Sequence, residues 1–136
     1  MRAARRPLAA RLALATVLAT ASACATASAV PTTPSAARVD GSTARSLSQQ
    51  GALLVDVRRP DEFAAGHLPG AINVPYDQVG SRTAEIGPTS ATVVVYCRSG
   101  RRSAVAAETL RNLGYVHVYD LGPMSAWPDE PSPGPQ

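Results

Sequence analysis

The 136-residue chain has no lysine; all thirteen basic residues are arginine. Together with heavy alanine use, this fits a GC-rich coding bias and carries no functional weight. Aromatic residues make up only 4 %, so a core must be built from Val, Leu, Ile and Ala, for which a hydrophobic content of 45 % suffices. The net charge of +3 disappears once the N-terminus is set aside. Arg2, Arg5, Arg6 and Arg11 lie there, and beyond them nine arginines face ten acids, leaving −1. A nucleic-acid binder needs a basic face, so that class is set aside. No apolar run approaches the roughly 20 residues of a membrane-spanning helix. Cysteine is nearly absent too, with Cys24 and Cys97 alone.

What is present at the N-terminus is an export pattern. Residues 1–29 open with four arginines, run uncharged from Leu12 to Ala23, and end in small residues. These are the n-region, h-region and exit of an export signal. An amphipathic core helix would need a polar stripe, and here Ala, Leu and Thr cover every face. Two processing routes stay open. Ala27-Ser28-Ala29 fits a cleavage that leaves Val30 first. Ala21 to Cys24, "ASAC", resembles a bacterial lipobox, which would make Cys24 a lipidated membrane anchor. Arg5-Arg6 followed by Pro7 is a poor twin-arginine signal. The expected location is extracytoplasmic, either anchored or secreted. Residues 30–37 read as a tether, 38–128 as the domain, and the Pro-rich 129–136 as a disordered tail. In either route Cys97 is the only free thiol of the mature domain, a hazard outside the cytoplasm unless it is buried or used.

Within the domain, apolar strands alternate with helices. Ser42–Gln50 reads as a short helix capped by Ser42 and closed before Gly51. "ALLVDV", "AINVP", "ATVVVYC" and "VHVYDL" read as strands. Pro60 to Gly70 should hold a helical turn and a loop, and Tyr76–Ile86 a short helix. Ser99–Asn112 should be a helix with Ala104, Ala107, Leu110 and Val105 inward, and Met124–Trp127 a last turn. Continuously apolar strands alternating with helices predict an α/β fold: a central, mostly parallel sheet with helices on both faces.

The chemistry concentrates at "VVVYCRSGRRS". Sites in open parallel sheets form beyond the carboxyl ends of strands, and Cys97 stands at such an end. The next residues lead into a helix N-terminus, whose free N–H groups and dipole favour an anion. Gly100 permits a tight turn, and Arg98, Arg101 and Arg102 add positive charge. All of this predicts a Cys97 pKa below the ordinary value. The competing reading, a buried small hydrophobe beside solvated arginines, does not explain three arginines within five residues of the cysteine.

The motifs in order resemble the rhodanese family. "LVDVRRPDEFAAGHLPGAINVP", Leu54 to Pro75, resembles its first motif. "CRSGRRS", Cys97 to Ser103, resembles its active-site loop. "LGPMSAW", Leu121 to Trp127, resembles its closing motif, except that Gly122-Pro123 stands where the family commonly has Gly-Gly. The resemblance implies a sulfurtransferase without metal or cofactor. Cys97 would carry sulfur as a persulfide, taken from thiosulfate or a similar anionic donor and passed to a thiol or cyanide. It implies substrate contacts from Arg98, Ser99, Gly100, Arg101, Arg102, Ser103 and Arg58, with Asp56 expected to support the site by pairing with an arginine. The alternative is a non-catalytic partner-binding, sulfur-relay or redox module on the same fold. A related phosphatase loop has C-x5-R, but the sixth residue after Cys97 is Ser103, so this loop is too tight for phosphate. His67 is expected to make a structural hydrogen bond and Trp127 to plug the core.

Overall fold

The computed structural model describes residues 37–129. The export signal, Cys24 and the tail beyond Asp129 lie outside the described residues, as does the tether except for its last residue, Ala37.

Five parallel strands form one sheet: β1 (Ala37–Arg38), β2 (Leu53–Asp56), β3 (Ile72–Asn73), β4 (Thr92–Cys97) and β5 (His117–Pro123). Their order is β1-β5-β4-β2-β3. The most apolar run therefore takes the centre, where β4 pairs Leu53 with Val93 on one side and Val118 with Val93 on the other. Val93 to Cys97 are all buried.

The period-two alternation of β4 divides the core. Val93, Val95 and Cys97 face α4 (Arg101–Asn112), meeting Ala106, Ala107 and Leu110. Val94 and Tyr96 face the other side, with Ala44 of α1 (Gly41–Gln49), Leu54, Leu121 and Trp127. Helices on both faces of a parallel sheet are as expected. Trp127 is a core plug, as anticipated. The strand β1 is an addition: Ala37 and Arg38 pair with Tyr119 and Asp120.

Several local expectations need correction. The cap of α1 is Asp40 rather than Ser42: its carboxylate accepts the Thr43 N–H at 2.8 Å and the Ser42 hydroxyl at 2.7 Å. The helix after Cys97 begins at Arg101, with Gly100 as its cap. Its inward face is Ser103, Ala106, Ala107 and Leu110, whereas Ala104 and Val105 are exposed. The stretch from Tyr76 to Ile86 holds one turn, α3 (Thr83–Ile86), and the first motif holds α2 (Pro60–Ala65). Met124–Ala126 is a 3-10 turn.

Candidate active site

Cys97 ends β4 on the α4 side and is fully buried. The chain then turns through Gly100, whose φ of 93° lies in the left-handed region that favours glycine. That turn brings the Gly100 N–H to 3.0 Å from the Cys97 Sγ. Three residues further on, the buried Ser103 Oγ lies 3.7 Å from the sulfur and donates to the Gly100 carbonyl at 3.0 Å. A hydroxyl placed so can swing from the carbonyl to the sulfur when the sulfur is charged. Burial alone would push the thiol pKa up. The Ser103 N–H and hydroxyl, then the Gly100 and Ser99 N–H groups, overcome it and hold the pKa below the ordinary value. The direction is as the sequence predicts, and so is the part of the cause that it assigned to the loop N–H groups. Loop N–H groups and one hydroxyl lead, ahead of any arginine.

The arginines divide by what holds them. Arg98 and Arg101 are exposed and form none of the ion pairs among the described residues. Arg102, expected to face the substrate, gives both terminal nitrogens to Glu62 of α2, at 2.7 and 2.9 Å. That bond holds the Glu62 carboxyl down at about 2.

Arg58, expected in the pocket, is a bridge inside the fold and only 6 % exposed. Its Nε and Nη2 bond the Asp56 carboxylate at 2.6 to 3.0 Å, and Nη2 also reaches the Gly66 carbonyl at 2.6 Å. Asp56 thus pairs with an arginine at the end of β2. Asn73 of β3 donates to the Asp56 and Arg58 carbonyls at 2.9 and 3.0 Å, closing the edge. Tyr96 accepts the Leu68 N–H at 3.0 Å, and burial beside Asp56 pushes its phenol pKa up. His67 stacks on Phe63, and its Nδ1 lies 3.0 Å from the Phe63 carbonyl oxygen, the structural role expected of it.

The β5 side of the site is built from Gly122 and Pro123, which the closing motif had marked, and from Arg38 and Asp120, which sequence reasoning did not single out. The β4–β5 register slips after Val95, so that Tyr96 meets Gly122 and Cys97 meets Pro123. Gly122 adopts φ 81°. The buried Asp120 accepts the Gly122 N–H at 2.8 Å and the Arg38 Nη1 at 3.1 Å. Pro123 sits with φ −74° directly beside the cysteine, where its missing N–H breaks no described hydrogen bond. Glu62 lay in plain view inside the first motif. Arg38 and Asp120, 82 residues apart, meet only through the β1–β5 pairing.

Comparison with known proteins agrees with this geometry. The sequence model of the rhodanese-like domain matches residues 41–130. A sulfurtransferase of Allochromatium vinosum is 43 % identical over 90 residues, 62 % of this chain and 83 % of that protein. The thiosulfate sulfurtransferase PspE of Escherichia coli is 44 % identical over 69 residues, 50 % of this chain and 66 % of PspE. The match to the Bacillus subtilis protein YqhL likewise spans only 60 % of that relative. Among solved structures, a rhodanese with anions from E. coli superposes with a TM-score of 0.58 at 34 % identity, covering 62 % of this chain and all of that one. The human single-domain sulfurtransferase TSTD1 gives 0.57 at 28 % identity, covering 68 % and 91 %. With three motifs in order, a parallel five-stranded sheet and a strand-end cysteine cradled by its loop, the chain belongs to the rhodanese-like domain family.

Proposed function

We propose that this chain is a sulfurtransferase that moves sulfane sulfur through Cys97. The observation that carries the reading is the short Gly100 N–H contact to Sγ, in a loop that lowers the thiol pKa. A lowered pKa raises the thiolate fraction, and a thiolate is a nucleophile that needs no separate base. It attacks the outer sulfur of thiosulfate. The S–S bond of the donor breaks, sulfite leaves with the bonding pair, and Cys97 keeps the sulfur as a persulfide anion. The N–H groups that favour the thiolate then favour the persulfide charge. Cyanide or a thiolate attacks that terminal sulfur and leaves as thiocyanate or a new persulfide, returning the Cys97 thiolate.

The names of the relatives support thiosulfate as donor, and the E. coli rhodanese with anions supports a site for a small anion. The exposed Arg98 and Arg101 would draw such a donor toward the loop. Residues 1–29 support export, by cleavage or by lipidation of Cys24. Full burial of Cys97 is compatible with a thiol kept in an oxidising compartment.

The test is the intact mass of the purified domain after incubation with thiosulfate, for wild type and Cys97→Ser. The expected result is a gain of one sulfur atom on wild type alone, removed by cyanide. No gain with thiosulfate or with polysulfide would overturn the reading.

A further inference from the structure

We propose that Arg38, from the short first strand, is a donor-binding residue that holds the anionic head of the sulfane donor at the mouth of the Cys97 loop. This rests on the sulfur-transfer reading above.

The observation is one of close approach. The Arg38 guanidinium lies against two glycines, Gly100 of the cysteine loop and Gly122 at the end of β5. A Cβ on Gly100 would stand 2.9 Å from Nη2, and one on Gly122 would collide with the guanidinium. These are the residues on either flank of the sulfur. The Gly100 N–H contacts Sγ, and Gly122 is the strand partner of Tyr96, next to Cys97. Both glycines also have positive φ, so each position excludes a side chain twice over. The fold keeps a channel clear for one arginine, which ends beside the loop.

Arg38 is also the arginine best prepared to receive an anion. Arg58 is enclosed and Arg102 has both terminal nitrogens on Glu62. Arg98 and Arg101 are exposed and unanchored, so water screens them and side-chain entropy opposes any single pose. Arg38 has one anchor, Nη1 to the buried Asp120 at 3.1 Å, and no other hydrogen bond among the described residues. Its side chain is 58 % exposed, while that of Asp120 is 3 % exposed. One bond to a buried carboxylate orients the planar fork and leaves Nε and Nη2 free, the geometry that suits an oxyanion such as a sulfonate. A thiosulfate gripped by its oxygens there would present its outer sulfur toward Cys97.

A purely structural Arg38 would only tie β1 to β5, so the test separates the two. Arg38→Gln and Arg38→Lys are compared with wild type in thiosulfate turnover and in Cys97 alkylation by iodoacetate (anionic) and iodoacetamide (neutral). Loss of one charge-assisted contact predicts a rise of about tenfold in the thiosulfate KM for Arg38→Gln, with kcat changed less. Its iodoacetate rate should fall several-fold, its iodoacetamide rate should hold, and Arg38→Lys should recover part of both losses. An unchanged KM and reagent ratio in Arg38→Gln, or an equal fall with both reagents, would overturn the proposal. A wild type that gains no sulfur from any donor would instead overturn the sulfur-transfer reading. The reagent ratio would then still decide whether Arg38 draws anions to Cys97.

Discussion

Two loops leave the same edge of the sheet and handle charge in opposite ways. The loop from Asp56 to His67 buries a carboxylate against a guanidinium and satisfies both with side chains and carbonyls. The loop from Cys97 to Ser103 buries its sulfur against backbone N–H groups and leaves Arg98 and Arg101 outside. The first is a closed ion pair whose charges cancel. The second is a cradle of partial positive charge directed at the sulfur. A closed pair gives the edge its shape, and an open cradle gives it chemistry, because only the cradle can change partners.

Removing one member of the closed pair should have the largest effect on stability. Asp56→Ala leaves Arg58 charged and enclosed, a loss of about 3–5 kcal/mol. That is a large part of the roughly 5–15 kcal/mol that holds a small domain together. Urea denaturation should show a much lower midpoint with an unchanged slope. A loss under 1 kcal/mol would mean that water reaches Arg58 and the pair is not closed.

Changes to the cradle should touch reactivity more than stability. Gly100→Ala puts a Cβ against Arg38 at a left-handed φ, costing about 1–2 kcal/mol. Relief of that strain moves the N–H away from Sγ, so the thiol pKa should rise. The pH profile of iodoacetamide alkylation would move to higher pH. Ser103→Ala should shift the same profile in the same direction by a smaller step, with a stability loss of about 1 kcal/mol from the lost hydroxyl bond to the Gly100 carbonyl, which keeps the Ala104 N–H. A profile unmoved in both variants would return the depressed pKa to the arginines, the other cause expected from the sequence.

That expectation shows what the sequence carries and what it hides. The run Thr92–Cys97 is so apolar that its central place in a parallel sheet could be read directly, and with it the position of the cysteine. The inward face of α4 is legible at Ala107 and Leu110 but not in its first turn, because Ser103 is polar and Ala104 is not. Ser103 is buried because its hydroxyl has partners in Cys97 and Gly100, which only the folded turn supplies. The same limit explains the misplaced arginines. Arg102 looks free until α2 brings Glu62 to it across 40 residues, and Arg38 looks like no more than the first residue of the domain until β1 pairs with β5.

The smallest expected effect lies where the two loops meet, at the bridge from Glu62 to Arg102. Both side chains are partly exposed, so Glu62→Gln should cost only about 0.5–1 kcal/mol at neutral pH. Its pH dependence is the sharper measurement. The folded carboxyl titrates at about 2, against an ordinary 4.5. A depressed acid contributes stability that is fully present above 4.5 and is lost as pH falls through 2. Denaturation midpoints of wild type and Glu62→Gln should therefore differ by a constant amount down to pH 4.5 and converge toward pH 2. A gap that persisted at pH 2 would mean that Glu62 joins the loops by packing. The cradle would then owe its isolation from Arg102 to shape rather than to a neutralised charge.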